Sequence, residues 1–349
     1  MTHPPMKAGM IEAPHRRWAA GDLRLESGGR IRAFELSYVA HGKLNEARDN
    51  AVLVTVSLTG NHHRLDFLIG PGRALDTERY FVVCVDPIGN GLSSSPSNSK
   101  EQPGMRFPRF CLRDMVQSQH RLLTEELRVA GLHCVIGASM GGMQALQWAV
   151  SHPEFMRCVV AMTPMARTSP WAVAVVETAR RALMADPAWN GEAFTGRPER
   201  GWRAWSGVMS VLAGRTPAAL GEVFENGLDV LPWMDKITAD NLAGGFDATD
   251  WLYQSWAYQD HDLGGTPGMG STQEALASIR AQTLVLAPPL DLFNPVQCAF
   301  DAADGIAEVT QVEIPSLQGH QSASSLREED VAFLNDEIGS FVHSIQVRS

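Results

Sequence analysis

HCVIGASMGGMQALQWA, residues 133–149, decides the fold. Its first half is a short continuous apolar run, the form of a strand buried on both faces. From Gly141 onward the chain takes up a helical pattern that a proline closes at Pro153. Between strand and helix, Gly137-Ala138-Ser139-Met140-Gly141 matches G-x-S-x-G, a sharp turn that presents a serine at a strand tip. The glycines have a steric reason: side chains two residues either side of the serine would collide with neighbouring backbone. The helix that follows points its N-terminal amides at the same spot, where an oxyanion can be bound. As a bare string the motif occurs by chance, and the competing reading is a glycine-rich turn that only joins two elements. The strand before it and the helix after it give it weight.

Outward from this point, strand-like runs recur on both sides. RIRAFELSYVAHG (30–42) alternates and ends in glycine, whereas NAVLVTVSLTG (50–60) and RYFVVCVDPIGNG (79–91) are almost continuously apolar. RCVVAMTP (157–164) repeats the form, the strand pattern resumes later with AQTLVLAPP (281–289) and VTQVEIPS (309–316), and LRDMVQSQHRLLTEELRVAG (112–131) has helical spacing. Strand, helix, strand, helix implies a mostly parallel sheet covered on both faces. From Ser169 to Thr272 the strand runs vanish and tryptophans 171, 189, 202, 205, 233, 251 and 256 crowd in. An all-helical block interrupting a sheet protein reads as an inserted cap, so the expected division is a core of residues 1–168 and 273–349 with a cap at 169–272. GNGLSSSPSNSKEQPG (89–104) is expected to be a long polar loop, either mobile or lining a site.

Composition narrows the class. With 44% hydrophobic and 19% charged residues the chain has an ordinary globular profile. A formal charge of -10 with no lysine- or arginine-rich run argues against a nucleic-acid or anionic-membrane partner. Of the five cysteines, Cys84, Cys134 and Cys158 lie in apolar runs and read as small buried thiols. No paired metal-site spacing is present, and no metal ion or resident cofactor is expected. The opening MTHPPMKAGMIEAPHRRW lacks the apolar stretch of a signal peptide, and no run approaches the roughly 18 apolar residues of a membrane helix. A cytoplasmic location is therefore expected.

A serine hydroxyl is a poor nucleophile until a base removes its proton and a third group orients that base. Partners should follow later strands in the order serine, acid, histidine. Asp291 comes just after AQTLVLAPP, and His320 just after VTQVEIPS. Their competing roles are a turn or helix-cap aspartate and a solvated loop histidine. Two backbone amides must complete the oxyanion site: Met140, directly after the serine, and Leu58 or Thr59 in VSLTGNHH. His62 and His63, with no carboxylate at ligand spacing, are expected to line the pocket mouth or face solvent rather than hold a metal. The cap tryptophans are expected to be packing residues, some of them walling a pocket.

DFLIGPGRALDTERYFVVCVD (66–86), FPRFCLRDMVQSQ (107–119), GASMGGMQALQWA (137–149) and FDATDWLYQSWAYQDHDL (246–263) resemble the homoserine O-acetyltransferase family of α/β-hydrolase-fold enzymes. The likeness is collinear from about residue 25 to 345. It implies the α/β-hydrolase fold with an inserted helical cap, a Ser139/Asp291/His320 triad, and Leu58 and Met140 at the oxyanion hole. It also implies double displacement through an acyl-serine and a homodimer formed by cap helices.

Departures from that family bear on the substrate. Members that use homoserine place an aspartate directly after the catalytic histidine, to meet the substrate ammonium; here stands Gln321. They also carry an arginine and a tyrosine on a cap helix, at positions that fall near Ser206 and Ala213 in this chain. A zwitterion in a low-dielectric pocket needs paired charges, because an unpaired buried charge costs several kcal/mol. The expected activity is thus serine carboxylester hydrolysis of small neutral esters, with Thr59 and Gln321 in the substrate pocket. The alternative is O-acetyl transfer from acetyl-CoA, as co-substrate, to homoserine, serine or another alcohol.

Overall fold

The structure, a computed structural model, describes residues 6–345. Among these, eight strands form one sheet in the order β1-β2-β4-β3-β5-β6-β7-β8: β1 (Arg16–Arg24), β2 (Arg30–His41), β3 (Ala51–Thr55), β4 (Phe81–Val85), β5 (Leu132–Ala138), β6 (Met156–Met162), β7 (Gln282–Ala287) and β8 (Val309–Glu313). β1 and β2 run antiparallel to their neighbours, and every pairing from β4 to β8 is parallel. The central strands are buried on both faces, which is why they read as unbroken apolar runs. Successive side chains of β3 enter opposite cores, Leu53 one and Val52 and Val54 the other, in the period of two that a strand imposes.

Helices cover both faces. α1 (Leu112–Arg121) and α2 (Met140–Ser151) bring Met115, Val116, Met143, Leu146 and Trp148 against Leu53, Val83 and Val135. On the opposite face Leu334, Ile338 and Val342 of α10 (Glu328–Ser344) pack against Val52, Cys84, Ile136 and Val160. Each fully buried side chain of this size contributes roughly 1.5–3 kcal/mol relative to exposure. The helical character expected after Leu112 continues past Arg121 only as one wider, π-type turn over Leu122–Glu126.

Between β6 and β7 lie α3 (Pro170–Met184), α4 (Glu199–Leu212), α5 (Pro217–Val223), α6 (Val230–Ala243), α7 (Ala248–Gln259) and α8 (Thr272–Ala277). Their starts follow capping chemistry. Ser169 accepts from the Ala172 amide ahead of Pro170, and Asp247 accepts from the Thr249 and Asp250 amides at 2.8 and 3.1 Å. Trp202, Trp205 and Trp251 pack edge to face, as the helical spacing of the tryptophans suggested. α9 (Val296–Asp304) follows β7.

The polar loop after β4 is neither loose nor exposed in its first half. Asn90, Leu92, Ser93 and Ser95 are buried, and Ser93 Oγ donates to the Asp86 carbonyl while accepting from the Ser37 amide. The serines replace backbone partners in an irregular segment, which has to satisfy its own polar groups when buried. No helix among the described residues is long and apolar enough to cross a membrane.

Candidate active site

Ser139 stands between β5 and α2 with φ +57° and ψ -125°. Such backbone costs about 1–3 kcal/mol for a residue with a side chain. The surroundings hold it there: its amide donates to the Met162 carbonyl at 2.9 Å and to Thr163 Oγ1 at 3.1 Å, and its carbonyl accepts from Met143. The flanking glycines have the steric cause inferred from the motif. A Cβ on Gly137 would lie 2.3 Å from Thr55 Oγ1 and 2.4 Å from the Gly141 carbonyl. One on Gly141 would lie 2.5 Å from the Thr55 carbonyl oxygen. The result is a serine only 3% exposed, facing the start of a helix.

His320 and Asp291 arrive from loops after β8 and β7. His320 Nε2 is 2.9 Å from Ser139 Oγ, and its Nδ1 is 2.7 Å from Asp291 Oδ2. Asp291 Oδ1 accepts from the Phe293 and Asn294 amides at 2.8 and 2.9 Å, so the carboxylate cannot rotate away. Phe293 meets the imidazole edge to face at 5.0 Å. The order serine, acid, histidine expected from the sequence is thus one hydrogen-bonded relay in space. Asp291 does both jobs, holding its own turn through Oδ1 and the imidazole through Oδ2, while His320, 9% exposed, is not a solvated loop residue.

Residue type alone did not reveal the supports of this relay. Tyr258 of α7 donates to Asn294 Oδ1 at 2.5 Å, and Asn294 Nδ2 donates to the Thr163 carbonyl at 2.7 Å. Complete burial, together with Asp291 nearby, raises the Tyr258 phenol well above its ordinary value and keeps it a neutral donor. The only sequence signal was adjacency: Thr163 directly follows β6 and Asn294 lies three residues past Asp291.

The loop after β3 supplies the second wall. Met140 is the first residue of α2, so its amide has no partner within the helix. Of Leu58 and Thr59, the structure separates the two: the Thr59 amide already donates to Gln254 Oε1 at 3.1 Å. Leu58 is left as the loop residue whose amide can serve an oxyanion. The turn is tight, with Thr59 at φ +62°, Gly60 N bonded to the Ser57 carbonyl, and Ser57 Oγ bonded to the Ala138 carbonyl.

Gln321, directly after the histidine, donates from Nε2 to the Ala213 carbonyl at 3.1 Å, at the C-terminal end of α4. Ser206, on the same helix, is fully buried and accepts from Asn241 Nδ2 of α6 at 2.8 Å. The positions singled out for missing charges are therefore occupied by neutral groups, Gln321 bonded to Ala213 and Ser206 to Asn241.

The adjacent histidines do not face solvent or line a mouth. The His62 and His63 side chains are 1% and 4% exposed, and each meets a carboxylate: His62 Nδ1 is 2.9 Å from Asp86, 24 residues on, and His63 Nδ1 is 2.7 Å from Asp66, a carboxylate only three residues on that the sequence reading passed over. Asp86 is fully buried; burial alone would raise its pKa, but hydrogen bonds from His15, His62 and Ser37 outweigh that and hold it below the ordinary carboxylate range. His15, His62 and Asp86 are the described residues whose donor atoms converge enough for a metal, within 4.8 Å. Tetrahedral ligands of zinc at ~2.0 Å stand about 3.3 Å apart. Ser37 Oγ, however, lies 2.5 Å from both His15 Nε2 and Asp86 Oδ2, a hydrogen-bond separation. The cluster fits a hydrogen-bonded carboxylate better than a metal shell.

A family profile described as alpha/beta hydrolase fold matches residues 58–264. A curated protein of Thermobifida fusca named homoserine O-acetyltransferase is 34% identical, over 87% of this chain and 89% of its own. Among solved structures, an acetylester hydrolase from Corynebacterium glutamicum superposes with a TM-score of 0.87 at 26% identity, covering 95% of this chain and 96% of its own. The acetyl esterase MekB gives the same score at 28% identity, covering 95% and 97%.

Proposed function

We propose, for a chain that belongs to the homoserine O-acetyltransferase family of α/β-hydrolase-fold enzymes, that it moves acetyl groups by double displacement through Ser139. The observation that carries this is the relay itself, 2.9 Å from hydroxyl to imidazole and 2.7 Å from imidazole to carboxylate, at a helix N-terminus. Ser139 Oγ attacks the acetyl carbonyl as His320 Nε2 takes its proton. Asp291 holds the imidazole with Nδ1 protonated and stabilises the imidazolium that forms. The Met140 and Leu58 amides receive the oxyanion; one such donor is worth about 2.7–4 kcal/mol of transition-state stabilisation. His320 then protonates the leaving group, and an acceptor activated by the same histidine takes the acetyl group from the serine.

Two acceptors compete for the second half. Kinship supports a hydroxyl acceptor with acetyl-CoA as donor, since the sequence relative is named for homoserine O-acetylation. On kinship this reading stands ahead of ester hydrolysis. The neutral residues at the two positions where homoserine users carry charge support water instead. Homoserine carries both charges, whereas Gln321 and Ser206 are neutral and already bonded to Ala213 and Asn241. Two superposable structures are of acetyl ester hydrolases, which supports hydrolysis of small neutral acetates.

One side-by-side assay separates these readings. The purified chain is given small alkyl and aryl acetates, and separately acetyl-CoA with and without homoserine or serine, with Ser139→Ala as control. Saturable, acceptor-dependent release of CoA means transfer. Turnover of acetates with no response to an acceptor means hydrolysis. Absence of any Ser139-dependent turnover defeats both.

A further inference from the structure

Gln254 belongs to α7, one of the helices between β6 and β7, yet its side chain ends at the loop after β3. It is 1% exposed. Oε1 accepts from the Thr59 amide at 3.1 Å and Nε2 donates to the Ile88 carbonyl at 3.3 Å. One partner can only donate and the other can only accept, so the amide has a single orientation. Its route is kept open by Gly89, where a Cβ would meet Gln254 Cγ at 3.2 Å and the Phe110 ring at 2.7 Å. Beside it, Thr59, Asn90, Asp250 and Trp251 leave a void of only about 10 Å³.

The same loop is held from the other side by Asp86. Its Oδ1 accepts from the His62 amide at 3.0 Å and from Asn90 Nδ2 at 3.2 Å, and Asn90 Nδ2 also reaches the Gly60 carbonyl at 3.2 Å. Residues 59, 60 and 62 are thereby pinned, while the Leu58 amide just before them stays uncommitted to either clamp. Asp86 and Asn90 follow β4 and belong to the sheet side. Gln254 is the arm that comes from the inserted helices.

We propose that Gln254 is a positioning residue for the oxyanion donor: by bonding the Thr59 amide it fixes the adjoining peptide, and with it the direction of the Leu58 N–H. This rests on the acyl-serine reading above, in which that amide receives the oxyanion. Fixed donors stabilise charge without reorganising at the moment of reaction, and a small misplacement of a donor lowers the rate by up to about 100-fold. The Gln254 side chain bonds Thr59 and Ile88, not Ser139, Asp291 or His320.

The test compares Gln254→Leu, which removes both polar atoms, with Gln254→Glu, which keeps an acceptor for the Thr59 amide. kcat and KM are measured on an acetate ester, together with the affinity of a trifluoromethyl ketone, which forms a tetrahedral adduct with the serine. Gln254→Leu should lower kcat/KM by about 10- to 100-fold through kcat, and weaken the ketone by the same factor. Gln254→Glu, assayed at a pH where its buried carboxyl is protonated and donates to the Ile88 carbonyl in place of Nε2, should retain most of both. Should Gln254→Leu fail to fold, Gln254→Met is measured in its place. Unchanged kcat and ketone affinity in a folded neutral variant overturns the inference. So does an equal loss in the neutral and Glu variants, which would assign the effect to packing. A wild-type chain with no Ser139-dependent turnover overturns the acetyl-transfer reading and this inference with it; an active wild type with unaffected variants overturns this inference alone.

Discussion

Asp250 should make the fold lose stability as pH rises from about 4 to 7. The residue lies in the first turn of α7, 4% exposed, with Oδ1 accepting from the Ser97 amide at 2.8 Å and Oδ2 from Ser97 Oγ at 2.5 Å. Burial, then the nearby Asp247, pushes its carboxyl up from 3.8 to about 7, against the opposing pull of the Ser97 bonds. In the unfolded chain the group gives up its proton near pH 4. Between about 4 and 7 the folded state therefore binds more protons than the unfolded one, so stability falls with rising pH across that window and levels off above it. A shift of this size corresponds to about 4 kcal/mol. Asp250→Asn removes the titration and keeps the shape: Oδ1 still accepts from the Ser97 amide, and the hydroxyl can accept from the new amide nitrogen. Urea unfolding of both proteins at several values between pH 5 and 8 gives the result as a difference. That matters because burial also raises Asp114 and lowers His152 and His261, which titrate in both proteins alike. The variant's advantage should grow by about 2–3 kcal/mol from pH 5 to pH 8, the part of the shift that falls within that range. A difference that stays flat over that range would refute the argument, since it would mean that Asp250 ionises in the fold as readily as in the open chain.

Two further substitutions test the relay. Asp291→Asn keeps an acceptor for the Phe293 and Asn294 amides but presents an N–H to His320 Nδ1, stabilising the wrong tautomer; kcat on an acetate ester should fall about 10⁴-fold with little change in unfolding midpoint. Gly319→Ala places a Cβ at φ +54°, 2.5 Å from Thr216 Cγ2 and 2.7 Å from the Leu290 carbonyl oxygen, and should cost about 2–4 kcal/mol by urea unfolding.

What could be read before the structure follows from where each constraint resides. Ser139, Asp291 and His320 each sit at the end of a strand, and a parallel sheet gathers strand ends along one edge, so order along the chain was enough to bring them together. The strands β3 to β7 announced themselves because two covering layers demand apolar residues at nearly every position. β1 did not, because as an edge strand it is largely exposed, with Gly21 at φ +74° and two register shifts against β2. The short α5 and the exposed α6 lacked a buried face to impose a period. His62 illustrates the opposite failure. Its partner Asp86 is 24 residues away, and only the adjacency of β3 and β4 in the sheet brings them together. Thr163, Asn294, Tyr258 and Gln254 are common residue types whose roles come from the bonds they make, and no spacing rule singles them out.

Gln321 shows how a change at one position draws in its neighbours. Its amide N–H caps the Ala213 carbonyl at the end of α4, where the last carbonyls have no helical partner and the helix dipole is negative. A carboxylate in the same place would face that carbonyl and that dipole without a proton to offer. Thr216, three residues beyond Ala213, bonds the Leu317 carbonyl and packs where Gly319 has no side chain, so this end of α4 and the histidine loop are joined at two points. The neutral residue beside His320 is therefore part of how the loop carrying the histidine is docked, and not an isolated loss of charge.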